Sequence, residues 1–399
     1  MKRKVAVLSV IVCLVLAALA CNKILPKAPA GDKVLDGPLE GLTSQQLAQF
    51  LRGDVAFNDD IFTAETGLGP VFVATSCGTC HAGDGKGHPF TTLTRFGQTD
   101  STGNKYLHLG GPQLQDRAIY NYQPETIPAG ATFSKFTPPA NTGLGFVDAM
   151  TDADLLALAD PNDANGDGIS GRPNWIHVPA YLSTKPGSIT QGGKYIGRFG
   201  KKAAAYDLFH QTVNAYNQDM GIVSTYEPYD TYNGQSLDPE VPNQTVIDVV
   251  AYLKTLKAPI QRNTNDADVI AGKNTFMQIN CGKCHVPELR SGPSSIAALS
   301  NKTFAPYSDF LLHDMGAALD DGYTEGTAAT AEWRTPPLWG LGLSKNSQGG
   351  KYFLLHDGRA NSIEQAISFH GGEAQQSKAA FQQLNQTDKA RLIKFLESL

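Results

Sequence analysis

Apolar positions recur with helical spacing in four widely separated stretches of the chain. Leu42–Phe50 reads as a helix, and Val246–Leu256 (VIDVVAYLKTL) presents one apolar face at a 3.6-residue repeat. Asp266–Ile279 predicts a third helix. Thr387–Leu399 (TDKARLIKFLESL) predicts a fourth, with Thr387 as its N-cap. Ile363–Phe369 is a shorter amphipathic run. From about His81 to Tyr232, Gly, Pro, Asn and Thr break up the pattern, which predicts a long, mostly irregular insertion. The N-terminus differs again: Lys2, Arg3 and Lys4 precede an uncharged stretch from Val5 to Ala20.

Composition bounds the reading. The 399 residues include 40 Gly and 23 Pro, yet 41% are apolar, so the chain is folded and loop-rich. Net charge is −5, and losing Lys2, Arg3 and Lys4 with residues 1–20 makes it −8. With no basic run, the chain is not expected to bind nucleic acid.

The basic start, the apolar stretch and Ala18-x-Ala20 form a signal-peptide pattern over residues 1–20. Cleavage there leaves Cys21 first. The junction resembles that of bacterial lipoproteins, in which this cysteine carries the lipid; that motif usually has Leu where Ala18 stands. An uncleaved anchor and ordinary cleavage are the alternatives. Residues 21–41, with Pro26, Pro29, Gly31 and Pro38, suit a tether. The expected location is the cell envelope, as a membrane-anchored lipoprotein facing the periplasm or cell surface.

Apart from Cys13 and Cys21, the cysteines form two copies of one pattern: Cys77-Gly-Thr-Cys80-His81 and Cys281-Gly-Lys-Cys284-His285. Cys-x-x-Cys-His is the c-type haem attachment sequence. Positions three apart share a helix face, so both thiols can add to the haem vinyl groups while the adjacent His ligates iron. A thioredoxin-like pair expects a βαβ context, and a zinc site uses four thiolates or distant His. Neither explains a His at the same place twice. Each motif has a helix before it and a closing helix after it. Ala258–Asn265, with Pro259, is the natural boundary. The expectation is a mainly α chain of two cytochrome-c-like domains, 42–258 and 262–399, with long irregular loop insertions.

Other runs carry a family resemblance: His313-Asp-Met315-Gly316, Glu332-Trp-Arg-Thr-Pro-Pro337-Leu-Trp339-Gly, Leu355-His356-Asp-Gly358-Arg359 and His370-Gly-Gly-Glu373. Asp160–Gly171, Gly197-Arg-Phe-Gly-Lys201 and Asp219-Met-Gly-Ile222 extend it into the first half. From about Leu42 to Leu399 the chain resembles the bacterial di-haem oxidoreductases, relatives of the di-haem cytochrome c peroxidases and of the methylamine-dehydrogenase maturation enzyme. The resemblance implies an extracytoplasmic redox protein. It also places His370, after His356-Asp-Gly358, at the distal face of the second haem. The peroxidases have Met there and the maturation enzyme has Tyr. Met315 is the alternative ligand. For the first haem no distal ligand stands out among His88, His108, His177, His210, Met150 and Met220. Gln211 or a nearby acid could line an open pocket. His356 is expected to be a supporting residue, its tautomer fixed by Asp357.

Asp163, Asn165 and Asp167, with Gly168 sixth, match the first half of an EF-hand loop, but Asn174 replaces the final Glu. Calcium and a self-capped Asx turn both remain open. There is no Gly-x-Ser-x-Gly, P-loop or His-Glu-x-x-His. The leading expectation is a peroxidase-like oxidoreductase in which one haem relays electrons to the other, supplied by a donor protein or small redox partner. A pure electron carrier and a surface lipoprotein that assists iron handling are the alternatives.

Overall fold

Two helix pairs, one in each half of the chain, are closed by the same device. The computed structural model describes residues 31–97, 99–100 and 103–399; the expected signal peptide and Cys21 lie outside the described residues. Seven described helices have seven residues or more: α1 (Ser44–Asn58), α2 (Leu208–Met220), α3 (Asn243–Thr255), α4 (Ala267–Gln278), α5 (Ile363–Phe369), α6 (Gln375–Gln383) and α7 (Gln386–Ser398).

Helix α1 starts at a capping box, with Thr43 and Gln46 bonding each other's backbone amides. It crosses α3 at Gly53, where a Cβ would meet the Asp248 carbonyl and lie 2.6 Å from Tyr252 Cβ. In the second pair α4 crosses α7 at Gly272. There a Cβ would meet the Arg391 carbonyl and lie 2.7 Å from Phe395 Cβ. Four residues after each glycine comes an aromatic, Phe57 or Phe276, packed against Tyr252 or Phe395 at centroid distances of 5.4 Å in both. The glycines admit backbone-to-backbone approach, and the aromatics fill the angle between the helices.

Asp266 caps α4, accepting from the amides of Asp268 and Val269. The cap of α7 is Asn385, which accepts from Asp388 N, and not Thr387. Thr387 is already inside the first turn, where its side chain cannot reach the orphan amides. Helix α2 breaks up the expected irregular insertion. Asp207 caps it and Gly221, at φ 66°, ends it. Its buried Thr212, Asn217 and His210 hide the apolar period.

The other described regular structure is short helical turns and short antiparallel pairing, the latter chiefly Leu93–Phe96 with Phe133–Phe136 and Leu312–Asp314 with Glu332–Arg334. Leu35–Leu399 form one compact unit. A single core cluster joins Phe50, Phe57 and Tyr252 of the first half to Phe304, Phe310 and Trp339 of the second. Leu35 is buried, and Leu39 N bonds Thr255 O, so the folded body takes in residues that the sequence pattern assigns to the tether. Among the described residues no helix is long and apolar enough to cross a membrane.

Candidate functional site

Ser76 accepts from Thr79 N at 3.2 Å and so caps one helical turn, Cys77–Cys80, which puts both thiols on one face. The turn delivers His81, whose Nδ1 lies 2.9 Å from Pro139 O. A carbonyl only accepts, so Nδ1 carries the hydrogen and the Nε2 lone pair is left free. Phe57 packs 5.8 Å from the ring. Burial lowers the imidazole to about 4, which keeps it neutral near pH 7. Burial, reinforced by Asp219, pushes both thiols up to about 12.

The second motif repeats this by another local route. Asn280, at φ 65°, turns the chain from α4 into a 3-10 turn, Cys281–Lys283. His285 Nδ1 lies 2.9 Å from Tyr307 O, Phe276 packs 6.3 Å from the ring, and burial lowers the imidazole to about 4. The four cysteines form no disulfide.

Both motifs line one cavity of about 490 Å³. Four free thiols in two turns and two neutral imidazoles with an available Nε2 fit the donor set of two c-type haems. A metal site at Cys284, Asp309 and His313 fits less well, although their ligand atoms lie within 4.8 Å of one another. His313 places Nε2 2.8 Å from Asp309 and Nδ1 2.7 Å from Glu373. Burial opposes charge there, but these partners raise His313 well above its ordinary value. An imidazolium has no lone pair to offer a metal.

His370 caps the C-terminus of α5 and lines the cavity. Its Nδ1 lies 2.8 Å from Ala366 O, the same anchoring that His81 and His285 have. It is close enough to His285 to act on its protonation. Met315 also lines the cavity, packed against the Phe136, Leu319, Tyr323 and Trp333 cluster. His356 stacks on Trp333 at 3.6 Å and 9°. Its carboxylate partner is Asp321, at 2.6 Å from Nε2, and not the expected Asp357, which Arg359 takes at 2.6 Å.

Of the first-haem candidates, His210 is buried in α2 with Nδ1 accepting from Tyr206 N, and Met150 is core. His108 and His177 are exposed, and His88 packs on Phe90 and Phe353. Gln211 and Met220 line the cavity. So do Asp219, which the sequence placed in a family-like run without a role, and Gln113 and Arg95, which sequence reasoning missed. Gln113 Nε2 donates to Asp219, while Arg95 bonds Gln113 at 3.1 Å and pairs with Glu325 at 2.8 Å. Burial raises Asp219 to about 6 against the pull of Gln113 and Arg95. Lys86, Lys201 and Arg334, also missed as site residues, border the cavity as well.

In the acidic loop the candidate oxygens are in use. Asp163 Oδ1 accepts from the amides of Asp167 and Gly168, Asn165 Oδ1 accepts from Asp167 N, and Asp167 pairs with Lys283 at 2.8 Å. This is the geometry of a self-capped turn. Its end is held by Glu373, which accepts from Ser170 Oγ at 2.6 Å.

No curated protein matches the chain. Among solved structures, the chain is similar to a hydrazine synthase from Kuenenia stuttgartiensis at 12% identity and a TM-score of 0.37, over 94% of this chain and 99% of that one. It is also similar to a MauG-like protein associated with microbial copper homeostasis at 13% identity and a TM-score of 0.41, over 94% of each chain. A family model described as "Di-haem oxidoreductase, putative peroxidase" matches residues 135–399, which include the second Cys-x-x-Cys-His but not the first. That match spans well over half of the sequence, and the chain belongs to the di-haem oxidoreductase family.

Proposed function

We propose that the chain is an exported di-haem c-type oxidoreductase with peroxidase-like activity. One observation carries the reading: two Cys-x-x-Cys-His turns, each with its His held through Nδ1 on a backbone carbonyl, face one cavity. Cys77 and Cys80 would hold one haem with His81 as ligand, and Cys281 and Cys284 the other with His285. The two helix pairs would make each half a cytochrome-c-like unit. Bound haem supplies one-electron storage and, where a coordination position stays open, reactivity toward peroxide.

The residues divide the labour. His370, pre-oriented by Ala366 O, is the proposed distal ligand of the second haem, which would accept electrons from a donor protein or small redox partner. Near the first motif no second histidine is anchored in that way among the described residues; the Asp219, Gln113 and Arg95 group lies there instead. A carboxyl held near 6 can give and retake a proton, and reducing peroxide to water consumes two protons with two electrons. Cys21 would carry the lipid that ties the protein to the envelope membrane.

Optical and paramagnetic-resonance spectra of the oxidised and half-reduced protein test it. One bis-His low-spin centre and one centre open to added ligands are expected, and His370→Ala should open the former. Two closed centres would make the protein a pure electron carrier. A spectrum changed by Met315→Ala but not by His370→Ala would make Met315 the ligand.

A further inference from the structure

Three cations converge on the cavity without an acid of their own. Lys86 and Lys201 come from the first half and Arg334 from the second, and all three are half-buried residues that border the cavity. The Lys201 ammonium makes no hydrogen bond or ion pair with the described residues. Lys86 donates to Leu355 O at 3.2 Å, and Arg334 donates from Nε to Gly200 O at 2.8 Å. Two acids act on the cluster, and both are engaged elsewhere: Asp357 by Arg359 at 2.6 Å, and Asp309 by His313 at 2.8 Å.

Burial, then repulsion from Lys86 and Arg334, drives Lys201 well below its ordinary value. Burial brings Lys86 to about 8 and Arg334 to about 10, only partly offset by Asp357 and Asp309. Like charges gathered away from bulk water are costly unless a counter-charge meets them. Here the cluster adjoins a space, so the counter-charge belongs to what fills the space. Lys201 acts on His81, and Arg334 is linked through Asp309 to the second motif, since Asp309 N bonds Cys284 O. The cluster thus borders both candidate haem sites. A guanidinium fork and two ammonium groups match carboxylates in geometry and charge.

We infer that Lys86, Lys201 and Arg334 form a carboxylate-binding cluster that takes the haem propionates where the two halves meet. The inference rests on the di-haem reading above and adds a role: the cluster holds the haem potentials up, because a nearby cation favours the reduced state, which carries one more electron.

Spectroelectrochemical titration of the purified holoprotein tests this, with in-gel haem staining to count attached haems. Lys201→Gln and Arg334→Gln should each retain two haems and lower at least one midpoint. The expected shift is roughly tenfold in the reduction equilibrium, about 59 mV for a one-electron centre. Lys86→Gln, at the one position of the three where an ammonium donates to a backbone carbonyl, repeats the test if the other variants fail to fold. Unchanged midpoints in the variants that fold, with both haems attached, would overturn the inference and leave the di-haem reading intact. A wild-type midpoint that moves with added acetate, with the response lost in the variants, would assign the cluster to a free anion and also overturn it. Absence of covalent haem from the wild type would sink the di-haem reading itself, and this inference with it.

Discussion

The first and second halves share a scaffold and differ in what stands around the motif. Each has a glycine-pinned helix pair, an aromatic against the motif His, and that His anchored on a carbonyl. Around Cys281 and Cys284 the second half sets a histidine, His370, and a buried imidazolium, His313, held by two carboxylates. Around Cys77 and Cys80 the first half sets an amide, a guanidinium and a carboxyl that titrates near 6. The common parts build a place for a cofactor, and the differing parts decide what that cofactor does. On the proposed reading, ligand supply would suit one half to passing electrons, and proton supply would suit the other to chemistry.

The strongest break in the comparison is removal of either cysteine pair. Cys77→Ala with Cys80→Ala should delete one covalent haem and leave the other, and Cys281→Ala with Cys284→Ala should do the converse. Mass spectrometry of the intact chain reads both, and loss of both haems from either variant would show that the halves are not independent. Next comes Asp219→Asn, which should cost about 10²-fold or more in peroxide reduction. Because Asp219 gives its proton up near 6, wild-type activity that needs the protonated acid should fall as pH rises through that value, and the variant should lose this limb. An unchanged pH profile would assign the proton elsewhere.

Smaller effects probe the scaffold. Gly53→Ala and Gly272→Ala each force a Cβ onto backbone, so each should destabilise by about 1–3 kcal/mol in urea unfolding. Similar costs would confirm that both pairs close alike. The smallest expected effect is electrostatic. Burial would raise Glu373, but His313 and Ser170 hold it at about 2, below its ordinary 4.5. Its contribution to stability is therefore complete above 4.5 and lost as pH falls toward 2. His313, raised, contributes fully below 6.5 and loses its share as pH rises through its folded value. Glu373→Gln should flatten the acid limb of a stability profile measured between pH 2 and 6.

The parts legible in the sequence were local ones. Two five-residue motifs announce themselves because thiol spacing and the adjacent His are fixed by one turn. The helices α3, α4 and α7 announce themselves because each buries one face; of α1 only the start did, since the pattern read Leu42–Phe50 and the helix runs on to Asn58. What escaped is assembled from distant segments: Arg95, Gln113 and Asp219 lie on three different stretches; Asp219 opens a run that carries the family resemblance, but nothing in the neighbours of Arg95 and Gln113 marks them. Helix α2 escaped because buried polar residues interrupt its period: Thr212 bonds Leu208 O and Asn217 bonds Tyr229 O. The His356 partner escaped because a carboxylate 35 residues away outcompetes the adjacent one.

The single cavity walled by both halves has a consequence for biogenesis. Its four thiols line the space, and Lys86, Lys201 and Arg334 disfavour one another's charge until something negative lies between them. A chain that closed first would bury its attachment points and seal in that repulsion. On the proposed di-haem reading, maturation would run in one order, with porphyrin fastened to both turns while the halves are still apart. On this account the cofactors are the last layer of the core to be laid before the protein shuts.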